Sequence, residues 1–187
     1  MMQLKSHLAT IPDPRRPQGK LYDLSDLLLF SILAILSGAT SYRKIQRFIH
    51  THRKRLNALC GLHWRRAPAQ TSIRYALQGL DSASVEKAFR QHAAELNGER
   101  APGTVIALDG KTLRGSFDQF EDRKAAQMLS ALATETSLVL GQVTITDRDG
   151  DKHHEIQAAQ HLIETLGLSD RLFTLDALHT QKKRLKR

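Results

Sequence analysis

The apolar residues of this chain change their spacing once, near residue 100, and that change restricts the fold more than any other feature. Before it they recur every three or four residues, the spacing of a helix that buries one face. Asp23 or Ser25 is placed to cap a helix running to Leu36, and Gly38 to stop it. Ser41 caps a second helix with Tyr42, Ile45, Phe48 and Ile49 on one face. A short third helix opens at Thr71 or Ser72 and carries Ile73, Leu77 and Leu80, and a fourth spans residues 85–96 before Asn97-Gly98. Beyond residue 104 the apolar residues come in short unbroken runs: 105–108, which reads as a strand buried on both faces, then 128–133 and 138–146. A helix over 155–166 and a second buried strand over 172–175 complete an α/β order. The expected division is a helical domain over 1–100 and a sheet-containing one over 101–187, meeting near residues 99–103.

Charge divides at the same place. Of the 28 Lys and Arg and 19 Asp and Glu, residues 1–100 hold 16 bases against 7 acids, while residues 101–187 hold 12 of each, so the net +9 belongs to the helical half. Residues 13–20 contain Pro14, Arg15, Arg16, Pro17 and Lys20 without apolar periodicity, and an extended arm with exposed basic side chains is expected there. Between Ser41 and Arg66 lie Arg43, Lys44, Arg47, Arg53, Lys54, Arg55, Arg65 and Arg66 with no acid, and Tyr42, Phe48 and Trp64 between them. A solvated face is the plain reading of a charge run, but the missing acids favour phosphate contacts with nucleic acid. The helix pair after Thr71 resembles a helix-turn-helix only as far as any tightly joined pair does.

The most apolar run, 24–36, is interrupted by Ser25, Asp26 and Ser31 and falls short of the ~20 residues that cross a bilayer, so no membrane segment is expected. No secretory leader is recognisable in residues 1–10, and Cys60 is the only cysteine; a cytoplasmic protein without disulfides is expected. His50, His52, Cys60 and His63 lack the paired spacing of a zinc site, and no zinc is expected.

Two apolar runs end in an aspartate, Asp109 and, 67 residues later, Asp176. In an open α/β sheet the strand ends meet at one edge, where ligands bind. Two carboxylates brought together there repel unless a cation lies between them, and Mg²⁺ prefers such hard oxygen ligands. Each aspartate also suits the loop after a strand, and the pattern alone leaves both readings open.

Several segments taken together are recognisable: Asp13-Pro14-Arg15-Arg16-Pro17-Gln18-Gly19, Ser37-Gly38-Ala39, Ile106-Ala107-Leu108-Asp109-Gly110-Lys111-Thr112-Leu113-Arg114, Leu140-Gly141-Gln142-Val143, His154-Glu155-Ile156 and Thr174-Leu175-Asp176-Ala177-Leu178-His179-Thr180-Gln181-Lys182. From about Asp13 to about Lys183 the chain resembles the insertion-sequence transposases that include the H-repeat-associated proteins. That resemblance implies a helical DNA-associated domain followed by a ribonuclease-H-like mixed sheet, incomplete here, with an Asp, Asp, Glu triad working with Mg²⁺. Asp109 matches the first acid and Asp176 the second; no residue up to Arg187 matches the third, so truncation or a frameshift near Lys183 and a catalytically incomplete transposase are expected. Lys111 and Arg114 match positions suited to phosphate oxygens, though a basic loop offsetting nearby carboxylates is an equal reading. Glu155 reads first as a helix-start carboxylate, and His153 and His154 as turn residues. Double-stranded DNA at element ends is the expected partner, with a second copy of the chain as another. A DNA-binding remnant without catalysis is the alternative. A haloacid-dehalogenase-type phosphohydrolase is disfavoured because Ala107 stands where its nucleophile belongs.

Overall fold

The computed structural model describes residues 2–98, 103–112, 127–145 and 153–175. The chain splits into two compact units, Met1–His92 and Ala93–Arg187, with the division inside a helix. Among the described residues there are six α-helices and a four-stranded mixed sheet.

Unit 1 is built around α2 (Leu24–Leu36). Asp23 caps it by accepting from the backbone N–H groups of Ser25 and Asp26, and that bonding holds the Asp23 carboxyl below its usual range, through the Ser25 hydroxyl first. Gly38, at φ 90°, ends the helix in the left-handed region that an L side chain avoids. Leu27, Leu29, Phe30 and Ala34 are essentially inaccessible to solvent, covered by α1 (Met2–Leu8), α3 (Tyr42–Cys60) and α4 (Gln70–Gln78). The polar interruptions of this helix are accommodated: Ser31 donates to the Leu27 carbonyl at 2.7 Å, and buried Asp26 pairs with Lys5 at 2.7 Å. Helix α1, unforeseen from sequence, is too short to persist alone; Lys5 and the burial of Leu8 and Ile11 hold it in place. A fifth helix, α5 (Ser82–Asn97), follows Asp81, which accepts from the Ser84 N–H at 2.9 Å.

The expected extended arm is only partly so. Pro17–Gly19 forms a 3-10 turn, and Arg15 is turned inward. Its guanidinium meets both Asp13 carboxylate oxygens at 2.9 Å and donates to the carbonyls of Tyr22 at 2.8 Å and Gly19 at 3.3 Å. Arg16 and Lys20 remain exposed.

In unit 2, β1 (Val105–Thr112), β2 (Gln127–Ala133) and β3 (Leu138–Ile145) form an antiparallel meander, and β4 (Leu172–Leu175) adds to the far side of β1 in parallel, giving the order β3-β2-β1-β4. Helix α6 (His153–Leu166) lies between β3 and β4 in sequence and packs on β3 and β2. Ile106, Leu108, Leu129, Ala131 and Leu140 form one core with Ala159 and Leu162 of α6. The strands are therefore not buried on both faces, as their unbroken apolar runs suggested. Burial alternates along β1 and β2, and Leu172 of β4 is 57% exposed, because among the described residues only one face of the sheet has a helix against it.

Candidate catalytic edge and nucleic-acid interface

Strand β1 does not stop at Asp109. It continues to Thr112, paired with β2 throughout, and Asp109 stands opposite Ser130. What ends near Asp109 is the ladder on the other side: β4 pairs Val105 with Leu172 through Leu108 with Leu175. Asp109 is thus within one ladder and just past the end of the other. Because side chains alternate along a strand, Asp109 and Lys111 share a face with Val105 and Ala107, away from the core formed by Ile106, Leu108 and α6. Both are exposed, and neither forms an ion pair among the described residues. Asp176, next after Leu175, and Arg114 lie outside the described residues; of Glu155, His153 and His154 only the backbone, at the start of α6, is described.

In unit 1, α3 separates its two kinds of residue cleanly. Ser41 accepts from the Lys44 N–H at 3.3 Å to start it, and Gly61, at φ 65°, ends it. Ile45, Ile49 and Leu56 are buried toward α2. Arg43, Arg47 and Lys54, at spacings of four and seven, fall on the opposite face with Lys44 and Arg55 at its margin. All five are exposed, as are Arg65 and Arg66 in the following loop, whereas Arg53 is half-buried. Among the described residues none of the eight is paired with a carboxylate.

The interleaved aromatic residues do not join this face. Trp64 packs edge-on against Tyr22 and Phe30, at centroid distances of 4.7 and 5.1 Å. Asn57 fixes its backbone by donating to the Trp64 carbonyl at 3.0 Å and accepting its N–H at 3.3 Å. Tyr42 and Phe48 also lie against the core. They were legible as apolar-face residues from their spacing, and it is that role, not contact with bases, that they fill.

His50, His52, Cys60 and His63 do not converge in any group of three ligands among the described residues. The His52 ring lies 4.7 Å from that of Phe48, and burial pushes the Cys60 thiol up, away from the thiolate that a metal requires. One exposed aromatic escaped notice. Tyr75 of α4 is 73% exposed, opposite the buried Ile73; an aromatic residue off the apolar stripe was the available signal.

A sequence profile described as DDE_Tnp_1-associated matches residues 5–93. Over 97% of this chain, "Putative transposase YncI" of Escherichia coli O157:H7 is 35% identical, and the aligned part covers 45% of that relative. The relative of the same name from strain K12 is 34% identical, with 71% of its length covered. "H repeat-associated putative transposase YhhI" of strain K12 is 32% identical, with 47% covered. The chain therefore spans about half the length of two of these three. No described helix is long and apolar enough to cross a membrane.

Proposed function

Because the chain belongs to the transposase family that includes the H-repeat-associated proteins, we propose that unit 1 binds double-stranded DNA and that unit 2 supplies two acids of a metal-dependent strand-cleavage centre. The observation that carries the catalytic half is the parallel β1–β4 ladder. It pairs Leu108 with Leu175, the residues immediately before Asp109 and Asp176. The order β3-β2-β1-β4, with only β1 and β4 parallel, supports the reading of this sheet as the opening part of a ribonuclease-H-like core.

The donor chemistry suits Mg²⁺: carboxylate oxygens at an exposed strand edge, with Asp109 uncommitted to any ion pair among the described residues. When bound, such an ion supplies Lewis-acid activation of phosphodiester chemistry. Lys111, two residues along the same face, offers its ammonium to a phosphate oxygen, and Arg114 is assigned the same task. The substrate is DNA at the ends of a mobile element, and a second copy of the chain is the expected companion there.

For the binding half, Arg43 to Lys54 extends about 16 Å along α3, comparable with the ~12 Å width of a DNA major groove. One basic stripe thus reaches the phosphates on both sides of a groove. Calorimetric titration of the DNA complex with Mg²⁺ tests the centre: binding should be lost in Asp109→Asn while DNA affinity is kept. Unchanged Mg²⁺ binding in that variant would leave the chain as a DNA-binding module alone. Replacing Arg43, Arg47 and Lys54 together with Ala should flatten the dependence of log affinity on log salt by roughly 3; an unchanged slope removes α3 from the interface.

A further inference from the structure

Beside the inward-turned Arg15, unit 1 contains an open cleft of about 380 Å³ between the proline-bounded turn and α4, lined by Pro14, Arg16, Ser72, Tyr75 and Gly79 among others. Resting on the DNA-binding reading above, we infer that this cleft holds one unpaired nucleotide at a DNA end, its base on the Tyr75 ring and its phosphate on Arg16.

The cleft is built rather than incidental. A Cβ added at Gly79 would lie 3.1 Å from Pro14 Cγ, tighter than ordinary van der Waals contact, so the turn packs closely on the C-terminal end of α4. The two successive arginines are divided between tasks. Arg15 spends its guanidinium on Asp13 and two backbone carbonyls, which fixes the turn. Arg16 is exposed and forms no ion pair among the described residues, which leaves a cation for an anionic ligand. Ser72, Tyr75 and the C-cap Gly79 recur at three and four residues, so they lie along one side of α4, with Tyr75 turned away from the buried Ile73.

An exposed ring beside a free guanidinium and a hydroxyl is the chemistry that takes an unstacked base with its phosphate. The volume lies at the low end of the ~300 to 1,000 Å³ typical of small-ligand pockets. It suits a nucleotide and excludes a duplex. Base stacking on aromatic side chains tolerates any sequence, so the cleft would read strand ends rather than base identity.

The test compares blunt duplex DNA with the same duplex carrying a short single-stranded overhang that contains 2-aminopurine. The intact chain should prefer the overhang, and its binding should quench the probe. Tyr75→Ala should remove about fivefold or more of overhang affinity and the quenching, Tyr75→Phe should keep both, and Arg16→Ala should weaken the overhang complex alone. The exposure of Tyr75 makes folding failure a poor account of such losses, and unchanged blunt-duplex binding would confirm it. Equal losses on blunt and overhanging DNA, or no loss, overturn the inference while leaving the reading of α3 as a duplex-binding element standing. Displacement of the overhang by low concentrations of a free mononucleotide would reassign the cleft to free nucleotides. Absence of all DNA binding removes both readings together.

Discussion

Unit 1 and unit 2 each bury a core, but on different plans. In unit 1 the most apolar helix, α2, is covered by three others, its internal polar groups are matched within the unit, and its basic residues stand outward on α3. In unit 2 the sheet has α6 against one face, and Asp109 and Lys111 stand on the other among half-buried apolar neighbours. The helical unit is organised to present charge from a closed core, the sheet to present charge from its less covered face. Substitutions that fold one unit and not the other test whether that difference is real.

The largest effect is expected from Phe30→Ala, since Phe30 is fully buried at the centre of α2's covering helices. About 3 to 5 kcal/mol should be lost, read from Trp64, the only tryptophan, which lies against Phe30. Leu162→Ala, equally buried in unit 2, should cost about 2 to 5 kcal/mol in the amide-exchange protection of β2 and β3. Simultaneous loss of Trp64 fluorescence and sheet protection in both variants would dissolve the distinction into a single cooperative fold.

Next comes Lys5→Met, which leaves the Asp26 carboxylate buried opposite an apolar side chain. Denaturant unfolding followed through Trp64 should show about 3 kcal/mol less stability, with recovery when Asp26→Leu is added. The pair also has a pH signature. The Asp26 carboxylate raises the Lys5 pKa above its ordinary value, so its contribution is complete below the unfolded-state pKa near ~10.4 and fades as pH rises through the folded-state value. A flat alkaline profile would reduce the bridge to a surface contact.

The smallest effect belongs to the arm. The Arg15 guanidinium holds the Asp13 carboxyl below its usual range, so its stabilisation is present above the unfolded-state pKa of ~3.9 and is lost as pH falls through the folded-state value. Asp13→Asn should cost about 1 kcal/mol near neutral pH and flatten the acid limb of the Trp64 transition. Equal acid sensitivity in wild type and variant would remove Asp13 from the account.

Helix-forming periodicity, caps at Asp23 and Ser41 and the strand runs were legible because each is local chemistry. Strand pairing was not: the length of β1 beyond Asp109 depends on β2, whose residues lie some twenty positions away. Nor could alternation of burial be read from Val105 to Leu108, since all four residues are apolar and only the placement of α6 decides which face is covered. Helix α1 depends on Asp26, which no short window around Lys5 contains; Asp13 lies beside Arg15 in the sequence, but the turn that also brings the Tyr22 carbonyl to its guanidinium is not written in residue type alone. At the site, Asp109 and Lys111 were legible by type and the α3 stripe by spacing. The removal of Trp64 into the core required knowing what packs on Phe30.

The knot at Arg15 has a consequence for how the chain meets proteases. Three basic residues in eight, flanked by prolines, make residues 13–20 look like an open trypsin site. Arg15 is held by four hydrogen bonds to Asp13, Gly19 and Tyr22 and so resists entering an extended cleavage conformation, and the bond after Arg16 leads into Pro17. Of the basic positions in this turn, Lys20 is left as the first to be cut, so a segment with the composition of a loose linker behaves as a splint between Asp13 and Tyr22.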